Sequence, residues 1–225
     1  MIRLLKAGLF RLKKDILFWI FIFLTIGLAI LTLVRYVPIE GITLDSALNE
    51  FLIYIGLFIA IFVSIFVGKE HSQGIIRNKI IVGHSRFSIF LANLIICIIV
   101  SLLCELIYLA IIFLVGTPLL GQLQMTLSQF IGILVNTIFI IISFCSIYNF
   151  VTMLCSEITI STTICIILFI AMFIAQGAFS LTAHSSKYIE NAFYDENGNK
   201  HIISQEIDPN YPGDQKVKTA KIIYL

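Results

Sequence analysis

Of 225 residues, 59% are hydrophobic and only 12% are charged, and the mean hydropathy is +1.02, whereas a soluble domain is about half apolar and a quarter charged. That balance excludes a water-soluble globular domain and makes the bilayer the solvent, in which each spanning segment satisfies its own backbone as a helix of about 20 residues. The formal net charge of +2 is informative only when resolved loop by loop.

Residues 1–14, MIRLLKAGLFRLKK, place Leu5, Leu9, Leu12 and Ile16 at helical spacing with Arg3, Lys6, Arg11, Lys13 and Lys14 between them. This pattern predicts a basic amphipathic helix over 1–15, lying along the cytoplasmic membrane face. The following apolar run has no small-residue cleavage site, so it reads as a retained first span rather than a signal peptide. It covers about 16–34, with Trp19 and Tyr36 as interfacial anchors. Arg35 to Glu50 carries Arg35 against Glu40, Asp45 and Glu50, with Pro38 and Gly41 as helix breakers, and is expected outside.

Span two is predicted over about 51–67. The next stretch, GKEHSQGIIRNKIIVGHSR (68–86), sets Lys69, Arg77, Lys79 and Arg86 against the single acid Glu70, so the excess of basic charge places it, and the N-terminus, in the cytoplasm. Within it Ile75, Ile76, Lys79 and Ile80 sit at the spacing of a short amphipathic helix, followed by Gly83 as a stop and Ser85 as a cap for the next helix.

Span three is predicted over about 87–115, stopped by Gly116, Thr117 and Pro118, span four over about 129–154 and span five over about 158–181. The turn Cys155–Glu157 makes the last two an antiparallel hairpin. From Thr182 the composition changes to five lysines and six acids. Five spans from a cytoplasmic N-terminus put this tail, 182–225, outside. Its AFYDENGNKHII predicts two short strands about an Asn-Gly turn. The expected fold is therefore an all-α polytopic membrane protein of about five transmembrane helices in one domain over 16–181, preceded by an interfacial helix and followed by a small extracytoplasmic segment with a β-hairpin.

No phosphate loop, HExxH, GxSxG or acidic metal loop is present in the sequence. The five cysteines (Cys97, Cys104, Cys145, Cys155, Cys165) form no CxxC pair and read as small apolar fillers. The histidines His71, His84, His184 and His201 are too scattered for one site. The sequence thus predicts no catalytic residues, no metal site and no enzyme. Nucleic-acid binding is not expected, because the basic residues are few, lie beside the membrane and lack interleaved aromatics.

Glu105 is the one ionisable residue deep in a span. Intramembrane carboxylates are costly, which makes it a functional candidate, set against the plainer reading of a carboxyl facing the bundle interior, protonated or hydrogen-bonded to another helix. Asn93, Asn136, Asn149 and Gln176 either hydrogen-bond between helices or line a substrate path. Glu157 favours the N-terminus of the helix it precedes.

The inner loop and the order of elements around it resemble a known family. A basic lead-in, span one, an outer loop, span two, an inner loop of the form Glu-x3-Gly-x2-Arg (Glu70, Gly74, Arg77) and a Gly-x-Ser-Arg (Gly83, Ser85, Arg86) opening span three look like the transmembrane subunit of type-2 ABC exporters. Within that family they are similar to bacterial antibiotic-peptide export and resistance permeases. The resemblance covers the first 180 or so residues in layout and about twenty in detail.

It implies that residues 68–86 form a coupling helix seated on a separate ATPase subunit, with Glu70, Gly74, Arg77, Lys79 and Arg86 as the coupling residues. Glu70 and Arg77 would be charged contacts or an internal pair, and Gly74 would permit close approach of another backbone. ATP and Mg would be held by the partner ATPase and no cofactor by this chain. A second permease subunit, identical or different, would complete the path for an amphipathic cargo, a peptide antibiotic or a lipid-like molecule, in a bacterial cell membrane. The family usually has six spans, and here no sixth apolar run follows, so the tail is expected to stop short of one. That departure keeps a second expectation open: a non-transporting membrane immunity or sensor subunit that binds a peptide through its outer segment.

Overall fold

The computed structural model describes residues 2–37, 44–121, 123–155, 157–183, 188–194, 200–207, 213 and 216–217. Among them, five helices are long and apolar enough to cross a membrane, the architecture of a membrane protein. Two compact units divide the chain, Met1–Phe169 and Ile170–Leu225.

In the first unit, α1 (Ile2–Lys14) runs into α2 (Ile16–Tyr36), and Asp15 separates them in an extended conformation, its carboxylate accepting from the Leu17 N–H as an N-cap. The apolar face of α1 packs on protein: Leu12 joins the main core, and Leu4 packs with Ile89 and Ala92 of α5.

The helix α3 (Leu44–Ser72) is the most enclosed span. Ala47, Phe51, Ile55, Phe62 and Phe66 recur along its buried face, and it packs against α2, α5 and α7. Small residues let neighbours approach it closely. A methyl group on Gly56 would meet the Phe169 ring at 2.7 Å, and one on Gly68 would meet Ile158 at 3.3 Å.

This helix overruns the expected second span, 51–67, at both ends. Glu50 and Glu70, which read as loop residues, lie within it, and each has a cationic partner from another helix: the exposed Arg35 at 2.9 Å from Glu50, and Arg11 and Lys79 at Glu70. Pro38 and Gly41, the expected breakers, lie outside the described residues.

The short α4 (Ile75–Ile81) leads to α5 (Arg86–Ile111), whose N-cap is Ser85, accepting from the Ser88 N–H at 3.2 Å. The expected stop at Gly116–Pro118 does not occur. The helix passes through a π-helical turn (Ile112–Gly116) into α6 (Thr117–Leu120). Pro118 falls in the first turn of α6, where a missing N–H costs little. Gly116 serves packing, since a Cβ there would meet Leu44 at 2.8 Å and Leu33 at 3.1 Å. The chain turns instead at Gly121, whose φ of 85° lies in the left-handed region that favours glycine. Tyr108 of α5 stacks on Phe51 with centroids 4.4 Å apart and donates to the Ala47 carbonyl at 2.7 Å, tying α5 to α3.

The helix α7 (Leu127–Leu154) begins with a capping box, Thr126 and Gln129, two residues before the expected start of the fourth span. Then α8 (Ile158–Ala183) begins in the first unit, where its Cys165 is buried. In the second unit the remainder of α8 is followed by β1 (Tyr188–Tyr194) and β2 (Lys200–Ile207). They pair antiparallel, with a register shift between Asn191 and Ala192. The Asn-Gly turn expected between them lies outside the described residues.

Candidate functional site

The junction where α1, α3, α4 and α5 meet is built on Glu70, in the last turn of α3. Its side chain is 1% exposed, and three donors from three other helices converge on it. Arg11 Nη1 of α1 lies at 2.5 Å and Lys79 Nζ of α4 at 2.6 Å, both on Oε1, while Asn93 Nδ2 of α5 reaches Oε2 at 2.7 Å. An uncompensated carboxylate in such a place costs several kcal/mol. Here both oxygens are occupied by strong, charge-assisted or amide donors.

Arg11 is fixed further. Its guanidinium lies 4.2 Å from the Phe66 ring centroid and Nη2 donates to the Phe66 carbonyl at 3.4 Å. Beside it, Lys69 Nζ sits 3.1 and 3.3 Å from the Asp15 carboxylate oxygens, so the α1–α2 corner is pinned to the end of α3.

Two glycines set the direction of α4. Gly74 precedes it with φ 69°, and Gly83 follows it with φ 93°. Both values lie in the left-handed region that a Cβ disfavours. At the far end, the Gly83 N–H bonds the Ile80 carbonyl at 2.9 Å and the His84 N–H bonds the Lys79 carbonyl at 3.1 Å, closing the last turn. No residue of α4 is buried, and only Lys79 reaches the Glu70 cluster. Arg77 points away from it and is exposed, with Asn78, Ile80 and Ile81.

Of the residues expected at the coupling site, Glu70 and Lys79 are thus brought together inside the fold. Glu70 pairs with Lys79 and Arg11, not with Arg77. Arg77 and Arg86 are exposed, and among the described residues neither forms an ion pair. Nothing lies within 4 Å of a Cβ built on Gly74, so the backbone angle and not close packing within this chain explains that glycine.

Glu105 stands apart, twelve residues along α5 from Asn93, about 18 Å at helical rise. It is buried, and among the described residues its Oε2 has no hydrogen-bond partner. Asn149 of α7 donates to the Phe90 carbonyl at 3.1 Å, an interhelical bond, while Asn136 is exposed.

Sequence reasoning missed Arg11 as a member of this site, whereas Asn93, read as hydrogen-bonding between helices or lining a substrate path, makes such an interhelical bond, to Glu70 of α3. Both carry a signal in retrospect: Arg11 falls on the stripe Leu4, Gly8, Leu12 of α1, and Asn93 on the stripe Ile89, Ala92, Ile96, Val100 of α5, so each is a polar residue on an inward-facing stripe. No family model matches the chain, and no curated protein and no solved structure matches it either.

Proposed function

We propose that this chain is the permease subunit of an ATP-binding-cassette exporter, with α4 as the helix through which a separate ATPase subunit acts. The observation that carries this reading is the form of the α4 junction. A seven-residue helix with no buried residue is held between two left-handed glycines. Its polar anchor, Lys79, ends on a carboxylate shared with α1, α3 and α5, while Ile76 packs on Leu4, Ile89 and Ala92. A push on the open face of α4 is delivered through Glu70 to three helices at once, as a rigid-body displacement.

In this reading ATP and Mg belong to the partner, the N-terminus and α4 are cytoplasmic, α1 lies at the membrane interface, and a second permease subunit completes the path for an amphipathic cargo. Arg77 is the contact to the ATPase. Lys79 and Glu70 carry the coupling without touching the partner, and Arg86 flanks the docking face.

The test is co-purification with candidate ATPases, read together with stimulated ATP hydrolysis. Arg77→Glu is expected to abolish association while leaving the thermal stability of the chain within about 0.5 kcal/mol, as for an exposed unpaired residue. Full association and full stimulation after Arg77→Glu would overturn the assignment of α4 as the coupling helix.

A further inference from the structure

A cleft of about 960 Å³ opens between α4 and the facing ends of α5 and α7. That volume is at the upper end of what small-molecule sites offer. Its walls are of two kinds. Ile76, Ile80, Phe87, Phe90, Phe150 and Leu154 make an apolar floor, and Phe87 and Leu154 are 71% and 70% exposed. Around it stand His71, Arg77 and Arg86, and among the described residues no acid lines the cleft.

Neither arginine forms an ion pair among the described residues, and the Glu70 carboxylate is already occupied by Arg11, Lys79 and Asn93. Arg86 adds its charge at the N-terminus of α5, where the helix dipole is already positive. Cations at one side of an apolar trough, at the ends of two spanning helices, match a molecule with an anionic head and hydrocarbon chains.

We propose that this cleft binds an anionic phospholipid, the phosphate between Arg77 and Arg86 and the acyl chains along Phe87, Phe90 and Leu154. The assignment concerns the chain without an ATPase bound; Arg77 and Arg86 are shared with the docking face proposed above, and the lipid test, made on the chain alone, can fail without bearing on the association test. Each arginine near a membrane surface strengthens binding of an anionic lipid about fivefold.

The chain has one tryptophan, Trp19, so a Trp19→Phe background accepts a single reporter. Phe87→Trp, and independently Leu154→Trp, are reconstituted in nanodiscs of phosphatidylcholine containing a small fraction of either brominated phosphatidylglycerol or brominated phosphatidylcholine. Phe139→Trp, on the exposed side of α7, serves as the reporter of ordinary lipid contact. The expected result is stronger quenching by the brominated phosphatidylglycerol at the two cleft reporters, equal quenching by both lipids at position 139, and a preference that falls to parity in Arg77→Gln/Arg86→Gln. Equal quenching by the two lipids at both cleft positions would overturn the proposal. So would a preference that survives loss of the arginines, or the absence of quenching by either lipid, which would mean that a second copy or a protein partner covers the cleft.

Discussion

Two buried carboxylates, each packed against or carried by α5, have opposite surroundings. Glu70 meets α5 near its start through Asn93, and both of its oxygens are filled by donors from three helices. Glu105 lies near the far end of the same helix with its Oε2 enclosed and unpartnered. The difference is one of cost: a buried charge surrounded by donors becomes a joint between elements, whereas one with an empty lone pair is a local burden on the fold. At Glu70 the donors come from positions 11, 79 and 93, so the joint ties α1, α4 and α5 to the end of α3.

The strongest way to break the contrast is Glu70→Ala. It strands Arg11, Lys79 and Asn93 against one another, two cations with no counter-charge, and is expected to destabilise the first unit by about 3–5 kcal/mol. Denaturant or thermal unfolding in detergent, followed by circular dichroism, reads the loss. A drop below about 1 kcal/mol would show that the cluster is solvated and that the four helices are held together by apolar packing alone.

Removing one cation is milder, because Glu70 keeps the other and Asn93. Lys79→Ala and Arg11→Ala are each expected to cost about 2 kcal/mol, the range for a hydrogen bond to a charged group. Arg11→Ala is the larger of the two, since it also gives up the Phe66 ring and carbonyl. The double substitution is expected to cost more than the sum, because only then is the carboxylate left without any charge partner. Strict additivity in this double-mutant cycle would mean that the two cations do not share Glu70.

These same residues show what could be read from the chain and what could not. The five spans follow from apolar runs that have no other solution in a bilayer, and Ser85 and Gly83 act through bonds to their immediate neighbours, so local pattern suffices for both. The ends of α3 were not legible in the same way. An acid after an apolar run reads as the start of a loop unless its partner is known, and the partner of Glu70 on α1 lies 59 residues away. Lys79 and Arg77 read alike as basic coupling residues of the inner loop, yet, two positions apart on a short helix, one reaches Glu70 and the other is exposed. Only the packing of α1 against α5, set by Leu4, Ile89 and Ala92, brings Arg11 to its place.

The smallest expected effect has the opposite sign and comes from Glu105. If its enclosed oxygen has no donor, an apolar side chain of similar length relieves the desolvation without opening a cavity. Glu105→Met is therefore expected to raise the stability of the first unit by about 1 kcal/mol, the scale of one unsatisfied buried polar atom. Glu105→Ala removes the burden but leaves a void, and is expected to fall below the Met variant by about 2 kcal/mol. The ordering Met above wild type is the informative part, because cavity formation alone cannot produce it. A Met variant less stable than wild type would show that the Glu105 carboxyl makes a favourable contact, and the contrast with Glu70 would then be one of degree.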